Sequence, residues 1–161
     1  MLYLAVIIVA IVADQLTKAM VVDSLLLYES REIIPGFFNL VYVTNSGAAF
    51  SMLADMNSPW RHYFFLSIGS AALIGLTVVY WKLRNVNSLY SWSLALIAGG
   101  AAGNLIDRIR FGAVIDFLDF YIGNYHWPAF NVADSAICVG AGLFLLINIF
   151  DTRNQDLRKN Q

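Results

Sequence analysis

Residues 2–22 read LYLAVIIVAIVADQLTKAMVV, an apolar run that contains two charged side chains, Asp14 and Lys18. Its length is close to the roughly 20 residues that an α-helix needs to cross the hydrocarbon core of a bilayer. The run lacks the basic start and the small-residue cleavage site of a removed signal peptide. It therefore predicts a membrane-spanning helix that the protein retains.

Three more apolar runs of similar length follow at residues 63–81, 89–106 and 132–150. Hydrophobic residues make up 59% of the 161 residues and charged residues 13%. A soluble domain has about 45–50% apolar and about 25% charged residues. We therefore predict a single integral membrane domain over residues 1–161, an all-α membrane protein with four transmembrane helices.

The two longer connections, residues 23–62 and 107–131, share the side of the membrane opposite both termini if the chain crosses four times. Residues 38–43 and 113–122 are rich in β-branched and aromatic residues, which favour strands. Pro35 and Gly36 mark a turn before the first of these segments. The pattern predicts a small extramembrane β-sheet, or cradle, on this outer face, with strand edges that are paired or wet.

Basic residues differ little in number between the two sides of the membrane. The side of the termini carries Lys82, Arg84, Arg153, Arg158 and Lys159, and the opposite side carries Arg31, Arg61, Arg108 and Arg110. Because cytoplasmic segments carry the excess of basic residues, this small difference places both termini in the cytoplasm and the longer connections outside.

Several classes of function are disfavoured by composition. The net charge of −1 provides no basic surface for nucleic acid. Cys138 is the single cysteine and lies in an apolar run, where we expect it to pack. With His62 and His126 as the only histidines, a zinc site rich in histidine or thiolate is not expected, and we predict no cofactor.

Ionisable groups inside a membrane span point to function, although each has a structural alternative. Asp14 and Lys18 lie four residues apart on one helix face and can form an internal ion pair. Arg108 can simply end a helix near the negative end of its dipole. Asn131 can cap the fourth helix, with Asp134 in its first turn.

Asp116 and Asp134 stand on either side of one connection, and both lie on the outer face. Asp119 follows Asp116 by three residues, so one of the two can face the membrane and the other water, and for Asp116 alone a surface position is the simplest expectation. If the sheet folds back over the helices, however, the carboxylates of Asp116 and Asp134 meet. Two close carboxylates share a proton, and such a pair supplies an acid and a base for hydrolysis of a carbonyl without a metal.

Five segments together resemble the bacterial lipoprotein signal peptidases, or signal peptidase II, across nearly the whole chain. They are DQLTK at residues 14–18, NSGAAF at 45–50, GNLIDR at 103–108, VIDF at 114–117 and FNVADS at 130–135. The resemblance implies a four-helix membrane bundle with a small extramembrane sheet. It also implies an aspartic endopeptidase that cleaves diacylglyceryl-modified prolipoproteins just before the lipidated cysteine.

The same resemblance implies a role for individual residues. Asp116 and Asp134 would form the catalytic dyad. The residues that bind substrate or support the site would be Asp14, Lys18, Asn45, Gly47, Asn104, Arg108 and Asn131. The implied partners are the lipid-modified prolipoprotein and membrane lipid, with no nucleic acid and no obligate protein partner, in the bacterial inner membrane.

Three other interpretations remain open at this point. Lys18 can activate Ser46 or Ser135 in a serine–lysine protease. Asp14, Lys18 and Asp134 can form the relay of a proton-coupled transporter. The charges can instead pair with partner helices in a membrane subunit that has no catalytic activity.

Overall fold

The third helix is the centre of the bundle because small residues let its neighbours approach closely. The computed structural model describes residues 2–47 and 59–159. Ala48, Ala49 and Phe50 of the motif NSGAAF therefore lie outside the described residues. The helices are α1 (Leu2–Ser24), α2 (Pro59–Leu83), α3 (Ser88–Phe111) and α4 (Val132–Lys159). Four helices within the described residues are long and apolar enough to cross a membrane.

Helix α3 packs against α1, α2 and α4. A Cβ atom at Gly99 would lie 2.7 Å from the Cβ atom of Ala10 in α1, and one at Gly100 would collide with the carbonyl oxygen of Ala133 in α4. The small residues of α3 therefore let α1 and α4 approach it closely.

Both ends of α3 follow from local chemistry. The side chain of Asn87 accepts a hydrogen bond from the backbone N–H of Leu89 at 2.9 Å and caps the N-terminus. Gly112, with φ of 75°, ends the helix in the left-handed conformation, and its N–H donates to the carbonyl of Arg108 at 3.0 Å. Helix α3 thus continues beyond the span of residues 89–106 and includes Asp107 and Arg108.

An antiparallel sheet of four strands covers one end of the bundle. Its strands are β1 (Ser30–Ile34), β2 (Phe38–Asn45), β3 (Val114–Ile122) and β4 (Tyr125–His126), in the order β1-β2-β3-β4. The strands predicted at residues 38–43 and 113–122 correspond to β2 and β3.

The sheet is attached to the helices by a small apolar core. Val21 in the last turn of α1 and Leu25 just after that helix pack with Phe117 of β3, and all three are buried. The segment before α4 is joined to the same strand, because the Phe130 carbonyl accepts hydrogen bonds from the N–H groups of Phe117 and Leu118 at 3.0 and 2.8 Å. These contacts bring β3 and the start of α4 side by side.

Candidate active site

Polar side chains gather at the end of the bundle that the sheet covers. They come from the C-terminal halves of α1 and α3, the first turn of α4 and strand β3. Since α1 and α3 run toward the sheet and α4 runs away from it, polar side chains that are far apart in sequence meet at one end of the bundle.

Asp116 and Asp134 are joined by the fully buried Asn131. The Nδ2 group of Asn131 donates a hydrogen bond to Oδ1 of Asp116 at 2.7 Å. Its backbone N–H donates to Oδ2 of Asp134 at 3.3 Å, and its Oδ1 accepts from the N–H of Asp134 at 2.9 Å. One asparagine therefore fixes both carboxyl groups, and it also caps α4.

Two further asparagines complete the hydrogen bonding of the pair. Asn104 in α3 donates from Nδ2 to Oδ1 of Asp134 at 2.8 Å. The Asn45 side chain at the end of β2 is hydrogen bonded to Asp116. Each carboxyl group thus contacts Asn131 and one asparagine from another element.

The electrostatic environment favours the protonated form of Asp116, which is only 3% exposed. Burial and, to a lesser extent, the negative charge of Asp134 raise the pKa of Asp116 from its ordinary value of 3.8 to about 7. The hydrogen bonds from Asn131 and Asn45 act in the opposite direction. A carboxyl group that still holds a proton near neutral pH is able to donate it during a reaction.

Beneath the two aspartates lies the Lys18 cluster, which consists of Lys18, Asp14, Asp107 and Asn104. The Lys18 ammonium is 2.8 Å from Oδ2 of Asp14 and 2.7 Å from Oδ2 of Asp107, and it donates to Oδ1 of Asn104 at 3.1 Å. Lys18, Asp14 and Asp107 are all buried. Gln15 adds a hydrogen bond to Oδ1 of Asp107 at 2.8 Å.

Arg108 contacts helix α2 and the loop that follows β2. Its Nη2 group donates to the carbonyl oxygen of Gly47 at 2.6 Å, and its guanidinium carbon lies 4.4 Å from the ring centroid of Phe65 in α2. Gly47 in turn donates its N–H to Oδ1 of Asn45 at 3.0 Å. Arg108 thereby connects α2 and α3 to the loop that follows β2.

A family model described as signal peptidase (SPase) II matches residues 6–150. The chain belongs to the signal peptidase II family. The resemblance carried by the five motifs is confirmed.

Relatives and solved structures agree with membership of the signal peptidase II family. The lipoprotein signal peptidase of Geobacter metallireducens is 49% identical over 91% of this chain and 90% of the relative, and that of Desulforapulum autotrophicum is 48% identical over 89% and 88%. A solved bacterial membrane enzyme structure is 32% identical, with a TM-score of 0.82 over 94% of this chain and 90% of the other. The predicted fold class is confirmed.

The structure brings together every candidate residue chosen from the sequence. The two aspartates and the supporting residues Asp14, Lys18, Asn45, Gly47, Asn104, Arg108 and Asn131 form one connected set of contacts. Asp119 belongs elsewhere, since it accepts hydrogen bonds from Asn39 and contacts His126 at 2.9 Å.

Sequence reasoning missed the contributions of Asp107 and Gln15 to this site. Both residues lie inside motifs that the sequence singled out, DQLTK and GNLIDR. Local spacing paired Lys18 with Asp14 alone, because a second carboxylate that comes from a different helix is invisible to spacing rules. The available signal was the position of Asp107 three residues after Asn104, which puts the two on one helix face.

Proposed function

We propose that this protein is a membrane aspartic endopeptidase that removes the signal peptide from diacylglyceryl-modified prolipoproteins. Cleavage occurs just before the lipidated cysteine. The observation that carries the proposal is the attachment of two carboxyl groups, those of Asp116 and Asp134, to one buried asparagine in a chain of the signal peptidase II family.

The proposed mechanism uses a single proton shared by Asp116 and Asp134. The ionised carboxylate accepts a proton from water as the water oxygen bonds to the scissile carbonyl carbon. The protonated carboxyl group donates its proton to the carbonyl oxygen. When the tetrahedral intermediate collapses, the carbon–nitrogen bond breaks. The carboxyl group that took the proton from water gives it to the leaving amine. The other carboxylate takes a proton from a hydroxyl of the intermediate, which restores the starting state of the dyad.

The supporting residues hold this machinery in place. Asn131 and Asn104 orient the two carboxyl groups through the hydrogen bonds at 2.7 and 2.8 Å. Asn45 holds Asp116 and also the loop at Gly47. Arg108 fixes the same loop through the Gly47 carbonyl, beside the dyad where a substrate backbone would lie.

The location of the dyad suits a substrate that is itself anchored in lipid. Asp134 is in the first turn of a membrane-spanning helix, and Asp116 is on the adjoining strand. The scissile bond of a lipid-modified protein stays close to the headgroup level because its acyl chains remain in the bilayer. We therefore place the active site near the outer leaflet of the bacterial inner membrane, with both termini in the cytoplasm.

The serine–lysine interpretation is disfavoured by the contacts of Lys18. Its three described partners are Asp14, Asp107 and Asn104, and none of them is a serine. Ser135 donates its hydroxyl to the Asn131 carbonyl at 3.0 Å. The transporter interpretation is disfavoured because, among the residues whose burial the structure describes, the buried charges collect at one end of the bundle and do not continue across it.

The test is signal-peptide release by the purified protein in detergent or lipid. The substrate is a diacylglyceryl-modified prolipoprotein, and its cleavage is followed by a gel shift. We expect the wild type to cleave, and the variants Asp116→Asn and Asp134→Asn to fold but to release no signal peptide. If both variants still cleave, the dyad assignment is wrong.

A matched control and a second substrate sharpen the test. Asp119→Asn makes the same chemical change three residues along β3, at a carboxylate bonded to Asn39 and His126, and we expect it to cleave normally. The same prolipoprotein without its diacylglyceryl group should be cut poorly. Equal cleavage of both substrates would remove lipid recognition from the proposal.

A further inference from the structure

The Lys18 ammonium is held within the Lys18 cluster by two hydrogen bonds and one further ion pair. An ammonium group has three N–H donors and no acceptor, and Lys18 has three partners: Asp14, Asp107 and Asn104. Because Lys18 is only 2% exposed, water does not compete for these bonds. The ammonium therefore fixes three groups from two helices relative to one another.

The two carboxylates of the Lys18 cluster also bind the backbone next to the dyad. Oδ1 of Asp14 accepts a hydrogen bond from the N–H of Ala133 at 2.9 Å, and Ala133 immediately precedes Asp134. Oδ2 of Asp107 accepts one from the N–H of Ile115 at 3.1 Å, and Ile115 immediately precedes Asp116. The cluster thus contacts the chain one residue before each aspartate.

Asn104, the remaining partner of Lys18, contacts a dyad side chain directly. Since Lys18 can only donate, Asn104 must present its amide oxygen to the ammonium. Its Nδ2 group is then left to donate to Oδ1 of Asp134 at 2.8 Å. Lys18, together with the Nδ2 group of Asn131 that donates to the same oxygen at 3.2 Å, determines which end of the Asn104 amide faces the dyad.

We propose that the Lys18 cluster positions Asp116 and Asp134 relative to each other. Lys18, Asp14 and Asp107 are positioning residues that do not touch the substrate, and the inference rests on the proposed aspartic peptidase function. Burying charges at membrane depth is unfavourable. Here the buried carboxylates accept hydrogen bonds from the backbone N–H groups of the residues that precede Asp134 and Asp116. A misplacement of about 1 Å at such a site can reduce the rate about 100-fold.

The cluster offers a matched pair of variants, Asp14→Asn and Asp107→Asn. Each removes one negative charge from the same buried site. The contacts differ, because Asp14 uses Oδ2 for Lys18 and Oδ1 for Ala133, whereas Asp107 uses Oδ2 both for the ion pair with Lys18 and for the N–H of Ile115. An amide has one oxygen, so it can serve both partners at position 107 but only one at position 14.

The two variants are therefore expected to differ in kcat. Asp14→Asn releases either the ammonium or the peptide before Asp134, and kcat should fall about 100-fold. Asp107→Asn can keep the contacts with Lys18 and Ile115 on its one oxygen and gives up the hydrogen bond from Gln15, so its loss of kcat should be only a few-fold. KM should change less than about threefold in both variants, since no substrate contact is altered.

The measurement is kcat and KM for signal-peptide release from the diacylglyceryl-modified prolipoprotein, with wild type and Asp134→Asn run beside the pair. Equal loss of kcat in the two variants, or a raised KM with normal kcat in Asp14→Asn, would overturn the positioning role. Failure of the wild type to cleave, or normal cleavage by Asp134→Asn, would instead overturn the proposed function.

A second variant covers the case in which Asp14→Asn does not fold. In Gly103→Ala the new Cβ would lie 2.6 Å from Oδ2 of Asp14, so it displaces that carboxylate without removing a charge. Gly75→Ala is the control, because nothing lies within 4 Å of a Cβ atom there. We expect kcat to fall at least tenfold in Gly103→Ala only, and unchanged kcat in a folded Gly103→Ala protein would refute the inference.

Discussion

Replacing Asp116 by asparagine should make the protein inactive and also more stable at neutral and alkaline pH. The folded protein binds a proton at Asp116 more tightly than the unfolded chain does, because burial and Asp134 raise the pKa from 3.8 to about 7. Unfolding then releases a proton between these pH values, and the stability of the wild type falls as pH rises through this window. An asparagine has no such proton to lose.

The magnitude follows from the same values. One pKa unit corresponds to about 1.36 kcal/mol, so the rise to about 7 corresponds to about 4 kcal/mol of destabilisation of the wild type once the pH exceeds 7. The asparagine variant loses the hydrogen bond at one of the two former carboxylate oxygens, which costs about 1–2 kcal/mol. The net gain at pH 8 is therefore about 2–3 kcal/mol, or roughly 5–10 °C in melting temperature.

The assay is thermal unfolding of the purified protein in one detergent from pH 4 to pH 9, followed by tryptophan fluorescence. Asp116→Asn should be about 1 kcal/mol less stable than wild type at pH 4 because of the lost hydrogen bond. It should overtake the wild type through pH 5–7, and its advantage should level off above about pH 7. Asp119→Asn reports the effect of exchanging another carboxyl group of β3 for an amide. A difference between Asp116→Asn and wild type that is the same at pH 4 and pH 8 would refute the reasoning.

Three further predictions concern the dyad and the helix contacts. Peptidase activity should fall as pH rises above about 7, because Asp116 loses the proton that the dyad shares, and a rate profile from pH 5 to pH 9 with a constant alkaline limb would contradict this. Asn131→Ala removes the residue that holds both carboxyl groups, so kcat should fall about 100-fold in an assay of signal-peptide release. Gly140→Ala would place a Cβ 2.7 Å from the Ser93 carbonyl oxygen and should destabilise the protein by about 1–3 kcal/mol. Gly142→Ala is the control, because nothing lies within 4 Å of a Cβ atom there. Equal melting temperatures for the two variants would contradict the prediction.

Hydropathy was sufficient to predict the bundle, because each membrane span must satisfy its own backbone hydrogen bonds and is therefore a helix. The ends of the helices depended on local signals of unequal strength. Asn87 and Gly112 end α3 through their caps, and this carries the helix past the apolar run to include Asp107. The short strand β4, Tyr125–His126, had no recognisable pattern of its own and exists only through pairing with β3.

Contacts between elements were the part that sequence could not supply. The pairing of β2 with β3 shifts register between Leu40 and Val43, and strand propensities carry no information about such a shift. The meeting of Asp116 and Asp134 was expected only if the sheet folded back over the helices. The use of Asn131 by both carboxyl groups depends on how the Phe130 segment pairs with β3, which is a tertiary feature.

The shared proton connects the stability of the fold with its proposed chemistry. Lys18 lies between Asp14 and Asp107 and offsets part of their charge. Its favourable effect on the ionised form of Asp116 is smaller than the opposing effects of burial and of the Asp134 charge. Two ionised carboxylates so close together at the membrane face would repel each other strongly. One proton relieves this repulsion, and it is also the proton that an acid–base dyad requires. The pH at which the wild type begins to lose activity should therefore coincide with the pH at which Asp116→Asn reaches its full stability advantage, and a separation of the two by more than about one pH unit would show that different groups control them.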